Sequence, residues 1–285
     1  MTMASDPQAD SGAMSEAAFT AISQLARSEA GLVLPPGKAT MVQSRLRKRL
    51  HHVGLKDLEA YARFVCSEEG VSERRYMISA LTTNVSHFFR EAHHFKILRD
   101  LVFPELIDRA RAGGRVRIWS AGCSSGQEPY SIAMALLSAA PDMAQRDVLI
   151  LGSDIDPNMI QFAEDATYSD QQVAGIEKDV RSNYMTPATQ GGFTVTPQVR
   201  KIVRFRELNL LGTWPMRGQF DIIFCRNVVI YFDQQTQAGL WPRFHGALVP
   251  SGWFFIGHSE RISDASVHLY QSVGQTAYRA VPAGL

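Results

Sequence analysis

An apolar run that begins near Arg117 ends in a turn of small residues, Gly122-Cys123-Ser124-Ser125-Gly126, and a carboxylate, Glu128, follows at once. A second apolar run, Val148 to Gly152, ends in Ser153-Asp154-Ile155-Asp156. An acid at the tip of a second strand is where a doubly wound sheet holds a ribose. Other polar groups stand at comparable exits. The run that closes at Cys225 gives way to Arg226, Asn227, Tyr231 and Asp233, and Asn209 ends the Phe205-Arg206-Glu207-Leu208 segment. A buried strand gains nothing from Arg-Asn at its exit, whereas open sheets keep their active sites at the carboxyl ends of their strands. Upstream, Asn84, Ser86 and Arg90 accompany the aromatic pair Phe88 and Phe89. The planar fork of an arginine beside a pocket suits a carboxylate. Taken alone, the Thr82–Glu91 stretch reads more readily as a helix cap with a hydrophobic anchor, and Asn209 nearly as readily as a turn cap.

Glycine spacing narrows the ligand. A dinucleotide site uses Gly-x-Gly-x-x-Gly to bring a pyrophosphate to a helix N-terminus. Here the glycines are Gly122 and Gly126, and the charge of Glu128 at the helix start repels a pyrophosphate. The same carboxylate accepts hydrogen bonds from an ammonium or a ribose. S-Adenosylmethionine carries both groups and a sulfonium cation, with no phosphate. Either motif alone reads as a tight turn whose acid is favoured by the helix dipole; the two in series point to a cofactor pocket.

Elements that could position these groups follow from periodicity. Phe19, Ile22, Leu25 and Ala26 recur at helical spacing up to Gly31, before Pro35 and Pro36. Further helices are expected from about Lys38 to His52, Leu58 to Cys66 and Glu73 to Leu81, with Gly54 and Gly70 ending two of them. A long helix from Glu91 to about Arg111 leads out of this bundle. After Gly113 and Gly114 strand and helix alternate, the pattern of a parallel sheet covered on both faces. Strands are expected near Val116–Ser120, Val148–Gly152, Ile202–Phe205, Phe220–Cys225, Trp253–Gly257 and Thr276–Ala280. A polar stretch rich in Gly and Pro, about 169–200, reads as a helix and a small antiparallel hairpin inserted into the sheet domain. The expected plan is therefore α/β: a lead at 1–15 without order, a helical domain over 16–90, and a doubly wound domain over 91–285.

Composition bounds the function. The chain has 285 residues, 45% hydrophobic and 20% charged, enough for an ordinary soluble globular protein with ample core. It has no apolar run long enough to cross a membrane and no signal-peptide pattern, so a cytoplasmic location is the default expectation. Cys66, Cys123 and Cys225 form no Cys-x-x-Cys pair, which argues against a disulfide framework and a zinc site. His87, His93, His94 and His258 have no metal-binding spacing, and no metal is expected. The net charge of +1 argues against bulk attraction to nucleic acid, but Lys38 to His52 holds five Lys or Arg residues and no acid.

Five motifs in order now carry a resemblance: Thr82-Thr-Asn-x-x-x-Phe-Phe-Arg-Glu91, Trp119-Ser-Ala-Gly-Cys-Ser-x-Gly-x-Glu-Pro-Tyr-Ser131, Ser153-Asp-Ile-Asp156, Phe224-Cys-Arg-Asn-Val-x-Ile-Tyr-Phe-Asp233 and Gly257-His-Ser-Glu260. Together they resemble the chemotaxis receptor methyltransferases, the CheR family, over Phe19 to about Tyr278. The resemblance implies an S-adenosylmethionine-dependent protein-glutamate O-methyltransferase that esterifies glutamate side chains on the cytoplasmic helices of transmembrane chemoreceptors during adaptation. It implies a methyltransferase sheet domain behind a helical bundle. By similarity, Asn84, Ser86, Arg90, Gly122, Glu128, Asp154, Asn209, Leu210, Arg226 and Asn227 bind the cofactor, Asp154 at the ribose, and Arg90 and Tyr231 face the methyl group. The family often has Thr where Ser86 stands, and Gln127 replaces a common acid while Glu128 is kept.

The chemistry agrees with these parts, because a glutamate carboxylate is already ionised at neutral pH and needs no general base. Arg45 and Arg49, with Lys48 beside them, fall near one helical face and are expected to dock an acidic receptor helix by steering that fades with salt. Some family members grip a peptide at the receptor C-terminus with the inserted hairpin, raising effective concentration. The loop around Gln190 to Thr196 is shorter here, which favours an enzyme that does not need the peptide. Two other readings are a methyltransferase acting on another substrate such as RNA, and a cofactor-binding scaffold or sensor. A steep salt dependence of RNA binding would mark the first; the presence of the methyl-facing pair counts against the second.

Overall fold

The computed structural model describes residues 14–282, and the chain divides into two compact units at Thr82/Thr83. Residues 83–90, assigned above to the helical domain, therefore pack with the sheet. The expected lead at 1–15 lies outside the described residues as far as residue 13, while Ser15 is already an N-cap, its hydroxyl accepting the Ala18 N–H at 3.1 Å.

Among the described residues the first unit holds four α-helices. Helix α1, Glu16–Ala30, stops where Gly31 turns left-handed at φ 67° and its N–H returns to the Ala26 and Arg27 carbonyls. A short 3-10 turn, Pro36–Lys38, leads into α2, Ala39–His52. Helices α3, Leu58–Cys66, and α4, Val71–Leu81, complete the set. Their heptad-like apolar positions, Phe19, Ile22, Val42, Leu46, Tyr61, Val65 and Met77 among them, form the buried interior. Gly70 does not end α3 as expected: it precedes α4, and a Cβ there would come within 2.0 Å of the Phe64 carbonyl oxygen. Close passage of two backbones fixes it.

In the second unit the expected helix from Glu91 is interrupted. Glu91 itself is left-handed, φ 59°, and caps α5, Ala92–Ile97; a π turn, Leu98–Val102, precedes α6, Phe103–Arg111. Pro104 has no N–H, and its ring would strike the carbonyl one α-turn back. A wider turn relieves this, with the Phe103 N–H reaching Leu98 O.

The sheet strands are β1, Val116–Ala121, and β2, Val148–Asp154, with helix α7, Gln127–Ala139, between them and α8, Pro157–Asp165, after them. An inserted subdomain follows: β3, Thr167–Tyr168; α9, Asp170–Val173; α10, Lys178–Tyr184; β4, Met185–Pro187; β5, Phe193–Val195; and α11, Pro197–Lys201. Its three strands form a separate antiparallel sheet in the order β3-β5-β4, one strand more than the expected hairpin. The main sheet resumes with β6, Val203–Glu207, β7, Phe220–Cys225, helix α12, Gln234–Ala247, and β8, Leu248–Ile256. Strands β9, Tyr270–Gly274, and β10, Ala277–Ala280, close it; β9 was not foreseen. The order is β6-β2-β1-β7-β8-β10-β9, parallel except for β10, which runs antiparallel to both neighbours.

Alternation places Ile118, Ile150, Ile222 and Phe224 in one core layer with α5 to α8, and Trp119, Ile223 and Phe254 in the other with Trp241 and Phe244 of α12. Each large apolar side chain buried in these layers contributes ~1.5–3 kcal/mol. Strand order reverses at β1, between β2 and β7, which opens a crevice beyond the carboxyl end of β1.

Candidate active site

Three strand exits meet at that crevice. Beyond β1, Gly122 takes φ 78°, and a Cβ there would lie 2.2 Å from Val228 Cγ2, so only glycine lets the β1 and β7 exits approach. The Gly122 and Cys123 N–H groups donate to Ser153 O, at 2.7 and 2.9 Å. The Ser124 N–H donates to Asp154 Oδ2 at 2.7 Å, and the Asp156 N–H to Asp154 Oδ1 at 3.0 Å. Burial pushes the Asp154 carboxyl up to about 6 against these bonds, which favour its ionised form. Asn84 is drawn in from the segment before α5: its Nδ2 donates to Asp156 Oδ2 at 2.8 Å, and its carbonyl accepts from the Ser124 hydroxyl at 3.2 Å.

Arg226, beyond β7, is buried at the centre. Its Nε lies 3.2 Å from Glu128 Oε2, and Glu128 Oε1 accepts from the Ser120 hydroxyl at 2.7 Å. Burial raises the Glu128 carboxyl, with Arg226 and Ser120 pulling the other way. The Arg226 Nη1 donates to the Arg90 carbonyl at 2.7 Å and to His94 Nδ1 at 3.3 Å. His94 Nε2 then carries the proton toward Thr276 Oγ1 at 3.0 Å, and burial, helped by the Arg226 charge, pushes this imidazole down to about 3.

The segment that carries Arg90 is held from several sides. Phe89 and Glu91 are both left-handed, at φ 53° and 59°. The Phe89 N–H donates to Ser131 Oγ of α7 at 2.9 Å, and Glu91 Oε1 accepts the His258 N–H at 3.2 Å. Arg90 Nη1 bonds the Val85 carbonyl at 3.3 Å, and the Tyr231 hydroxyl reaches Thr83 O at 3.5 Å, so both groups lean on residues 83–85. Ser86 is half-buried on the same loop.

Two family models match this chain: "CheR methyltransferase, all-alpha domain" over residues 17–82, and "CheR methyltransferase, SAM binding domain" over residues 84–279. The chain belongs to the CheR methyltransferase family. Among curated relatives it is 46% identical over 261 residues to a probable chemotaxis protein methyltransferase of Rhizobium etli, covering 90% of this chain and 97% of that one. It is 39% identical to the chemotaxis protein methyltransferase of Escherichia coli, covering 93% and 91%. It is 40% identical to chemotaxis protein methyltransferase 2 of Pseudomonas aeruginosa, covering 87% of each. As a CheR methyltransferase the chain uses S-adenosylmethionine.

The residues at the crevice fit that cofactor. Carboxylates at Glu128 and Asp154 offer acceptors to cationic and hydroxyl groups, nothing there cradles a phosphate, and Asn227 Oδ1 is buried without a partner. In this CheR protein the Arg226 guanidinium contacts Glu128 and the Arg90 carbonyl. Asn209 Oδ1 accepts the Leu211 N–H at 2.9 Å, which is the turn-cap reading, while the Leu208 N–H ties this exit to Asp154 O at 2.8 Å. The Leu210 side chain belongs to the Trp119 core layer, so any ligand contact falls to its backbone. Glu91, His93 and His94 bring three ligand-type atoms within 4.8 Å of one another, but both His94 nitrogens are engaged, Nδ1 by the Arg226 guanidinium and Nε2 by Thr276.

Two of the three residues of the expected docking face have partners within the helical unit. In the helical unit Arg45 Nη1 donates to the Leu81 and Thr82 carbonyls, at 2.8 Å each, capping α4. Arg49 grips Glu73 through Nε and Nη2 at 2.8 and 2.6 Å, and Tyr61 donates to the same carboxylate at 2.9 Å. Like spacing on one helix did not disclose these partners. Lys48 is exposed, as are Arg47, His51 and His52. Sequence reasoning also passed over Asp156, Glu91 and Glu260 as parts of the site, although each closes a motif, and weighed His94, which lies in no motif, only as a metal ligand.

Proposed function

We infer that this chain transfers the methyl group of S-adenosylmethionine to glutamate side-chain carboxylates of chemoreceptor cytoplasmic helices, giving methyl esters for chemotactic adaptation. The observation that carries the site assignment is the meeting of Arg90, Glu128, Asp154, Arg226 and Tyr231 around one crevice at the sheet's switch point. Bound there, S-adenosylmethionine supplies an electrophilic sulfonium methyl. Asp154 accepts from ribose hydroxyls, Glu128 from the amino acid end, Asn84 and Asn227 line the walls, and Asn209 stands at the adenine side. Arg90 and Tyr231 orient the incoming carboxylate. Their work is positional, since an ionised carboxylate needs no proton removed before attack. An Arg90 that neutralised the nucleophile fully would blunt it, so orientation is the better role.

Receptor docking falls to Lys48 and its exposed neighbours. The inserted hairpin turns tightly, with the Ala188 N–H on Gly192 O at 3.0 Å, which supports methylation without a receptor C-terminal peptide. Receptor fragments with and without that peptide should then be methylated at equal rates. A reaction on receptor cytoplasmic helices implies a cytoplasmic enzyme, and no helix among the described residues is long and apolar enough to cross a membrane.

The reading is tested by calorimetric titration of S-adenosylmethionine and S-adenosylhomocysteine, followed by transfer of a radiolabelled methyl group to a receptor cytoplasmic fragment. Binding with base-labile label on glutamate is expected. Binding without transfer to several receptors would overturn the substrate, and no binding to folded protein would overturn the pocket.

A further inference from the structure

Strand β8 ends at Ile256, and Gly257-His258-Ser259-Glu260 folds back beneath the β7 exit. Glu260 is 2% exposed, and its carboxylate receives four backbone N–H groups. Oε1 accepts from Val228 at 2.9 Å and Val229 at 3.0 Å; Oε2 accepts from Asn227 at 3.0 Å and Gly257 at 2.6 Å. An ionised carboxylate has about four lone-pair sites, and all are used. A Cβ on Gly257 would lie 2.7 Å from Asn227 Nδ2 and 2.9 Å from Glu260 Oε2, so the glycine clears the way for this approach.

Three of the four donors are successive residues of the segment between Arg226 and Tyr231. Its first member, Asn227, is held left-handed at φ 59°, a conformation that a residue with a side chain keeps only when its surroundings enforce it. The same donors start the 3-10 turn Val229–Tyr231, in which the Tyr231 N–H bonds Val228 O at 3.2 Å. Next to Glu260, the His258 N–H bonds Glu91, the residue after Arg90. One turn thus touches both sides of the crevice, the backbone of the β7 exit through Glu260 and the Glu91 carboxylate beside Arg90 through the His258 N–H.

We propose that Glu260 is a positioning residue for methyl transfer, its carboxylate clasping the backbone that presents Asn227 and Tyr231 to cofactor and substrate. This rests on the methyltransferase reading above. Glu260→Gln keeps the shape but turns an NH2 toward N–H donors, so the clasp opens while the bulk remains. The expected result is a kcat lower by on the order of 10- to 100-fold with the receptor KM nearly unchanged, since small misplacement costs about this much. Weaker S-adenosylhomocysteine binding should accompany it, with circular dichroism unchanged. A double-variant cycle separates positioning from mere support. Asn227→Ala should cost much less affinity for S-adenosylhomocysteine in the Glu260→Gln background than in the parent. Losses that multiply independently within about twofold would overturn the proposal, as would Glu260→Gln with parental kcat. Should Glu260→Gln fail to fold, Glu260→Asp, which keeps the charge one methylene short, takes its place in the same cycle. A parent protein that neither binds cofactor nor transfers methyl would sink the function itself; an active parent with an indifferent Glu260 sinks only this inference.

Discussion

Each unit of the chain buries an arginine against a glutamate, and the two pairs differ in how completely they are satisfied. In the helical unit Arg49, Glu73 and Tyr61 close on one another: both carboxylate oxygens accept, two guanidinium nitrogens donate, and Glu73's hydrogen bond leads in holding Arg49 above its ordinary value. In the sheet unit the Arg226–Glu128 pair sits among loose ends. Arg226 Nε makes no aligned hydrogen bond, and Glu91 Oε2, His93 Nε2 and Asn227 Oδ1 are buried without partners. Left-handed residues also collect here, at Phe89, Glu91, Ser124 and Asn227. A buried ion pair is therefore no sign of a site. Unpaired buried acceptors and strained backbone at strand exits are, because folding alone would have removed both.

The sharpest way to break this contrast is to open the closed pair. Arg49→Ala leaves the Glu73 carboxylate buried without its cation, and the helical unit should lose about 3 kcal/mol of stability. Calorimetric unfolding, with hydrogen exchange over α2 and α4, measures it. A loss below about 0.5 kcal/mol would place the pair with ordinary surface bridges. Arg90→Ala should do the opposite, leaving the melting temperature close to the parent while methyl transfer falls about 100-fold. Unchanged turnover would end the orienting role of Arg90.

A smaller effect separates the units by pH. Burial holds the Asp154 carboxyl at about 6, above the 3.8 it has when free. In the role proposed for it, the ionised group accepts ribose hydroxyls; as pH falls through about 6 it takes up a proton, and affinity for S-adenosylhomocysteine should drop by up to about tenfold per unit. Stability moves the other way, because a raised carboxyl binds its proton more tightly in the folded state: that contribution is full below pH 3.8 and is lost as pH rises through about 6. Affinity and stability should thus diverge over this window, and Asp154→Asn should flatten both. A flat affinity in the parent protein would remove Asp154 from the ribose.

What the sequence disclosed follows the same division between local and remote causes. Leu58–Cys66 and Phe220–Cys225 form over the expected bounds; in the structure Asp57 caps the first, and a change from apolar to polar residues ends the second. The edge strand Tyr270–Gly274 escaped notice because only Tyr270 is buried and no alternation survives. Glu260 and Asp156 were invisible as parts of the site because their partners are backbone and amide groups far away in the chain, at Val228 and Asn84, which no periodicity encodes. The partners of Arg45 and Arg49 were hidden for the same reason. A basic stripe on α2 looks alike whether its charges face water or, as here, α4.

Those partners set the smallest test. With Arg45 and Arg49 engaged in structure, steering of an acidic receptor helix rests on Lys48 with Arg47, His51 and His52, all exposed. An exposed charge is worth ~0–1 kcal/mol and is screened over about 10 Å at 0.1 M salt. Lys48→Glu should therefore raise the KM for a receptor fragment only about two- to fivefold at low ionic strength. The gap should close as salt is added, with kcat and melting temperature left as in the parent. Charge reversal at Arg45 or Arg49 cannot make this measurement, since each would also unpick a helix contact. A Lys48→Glu enzyme with parental KM at low salt would mean that α2 does not steer the receptor, and that its basic residues serve the bundle alone.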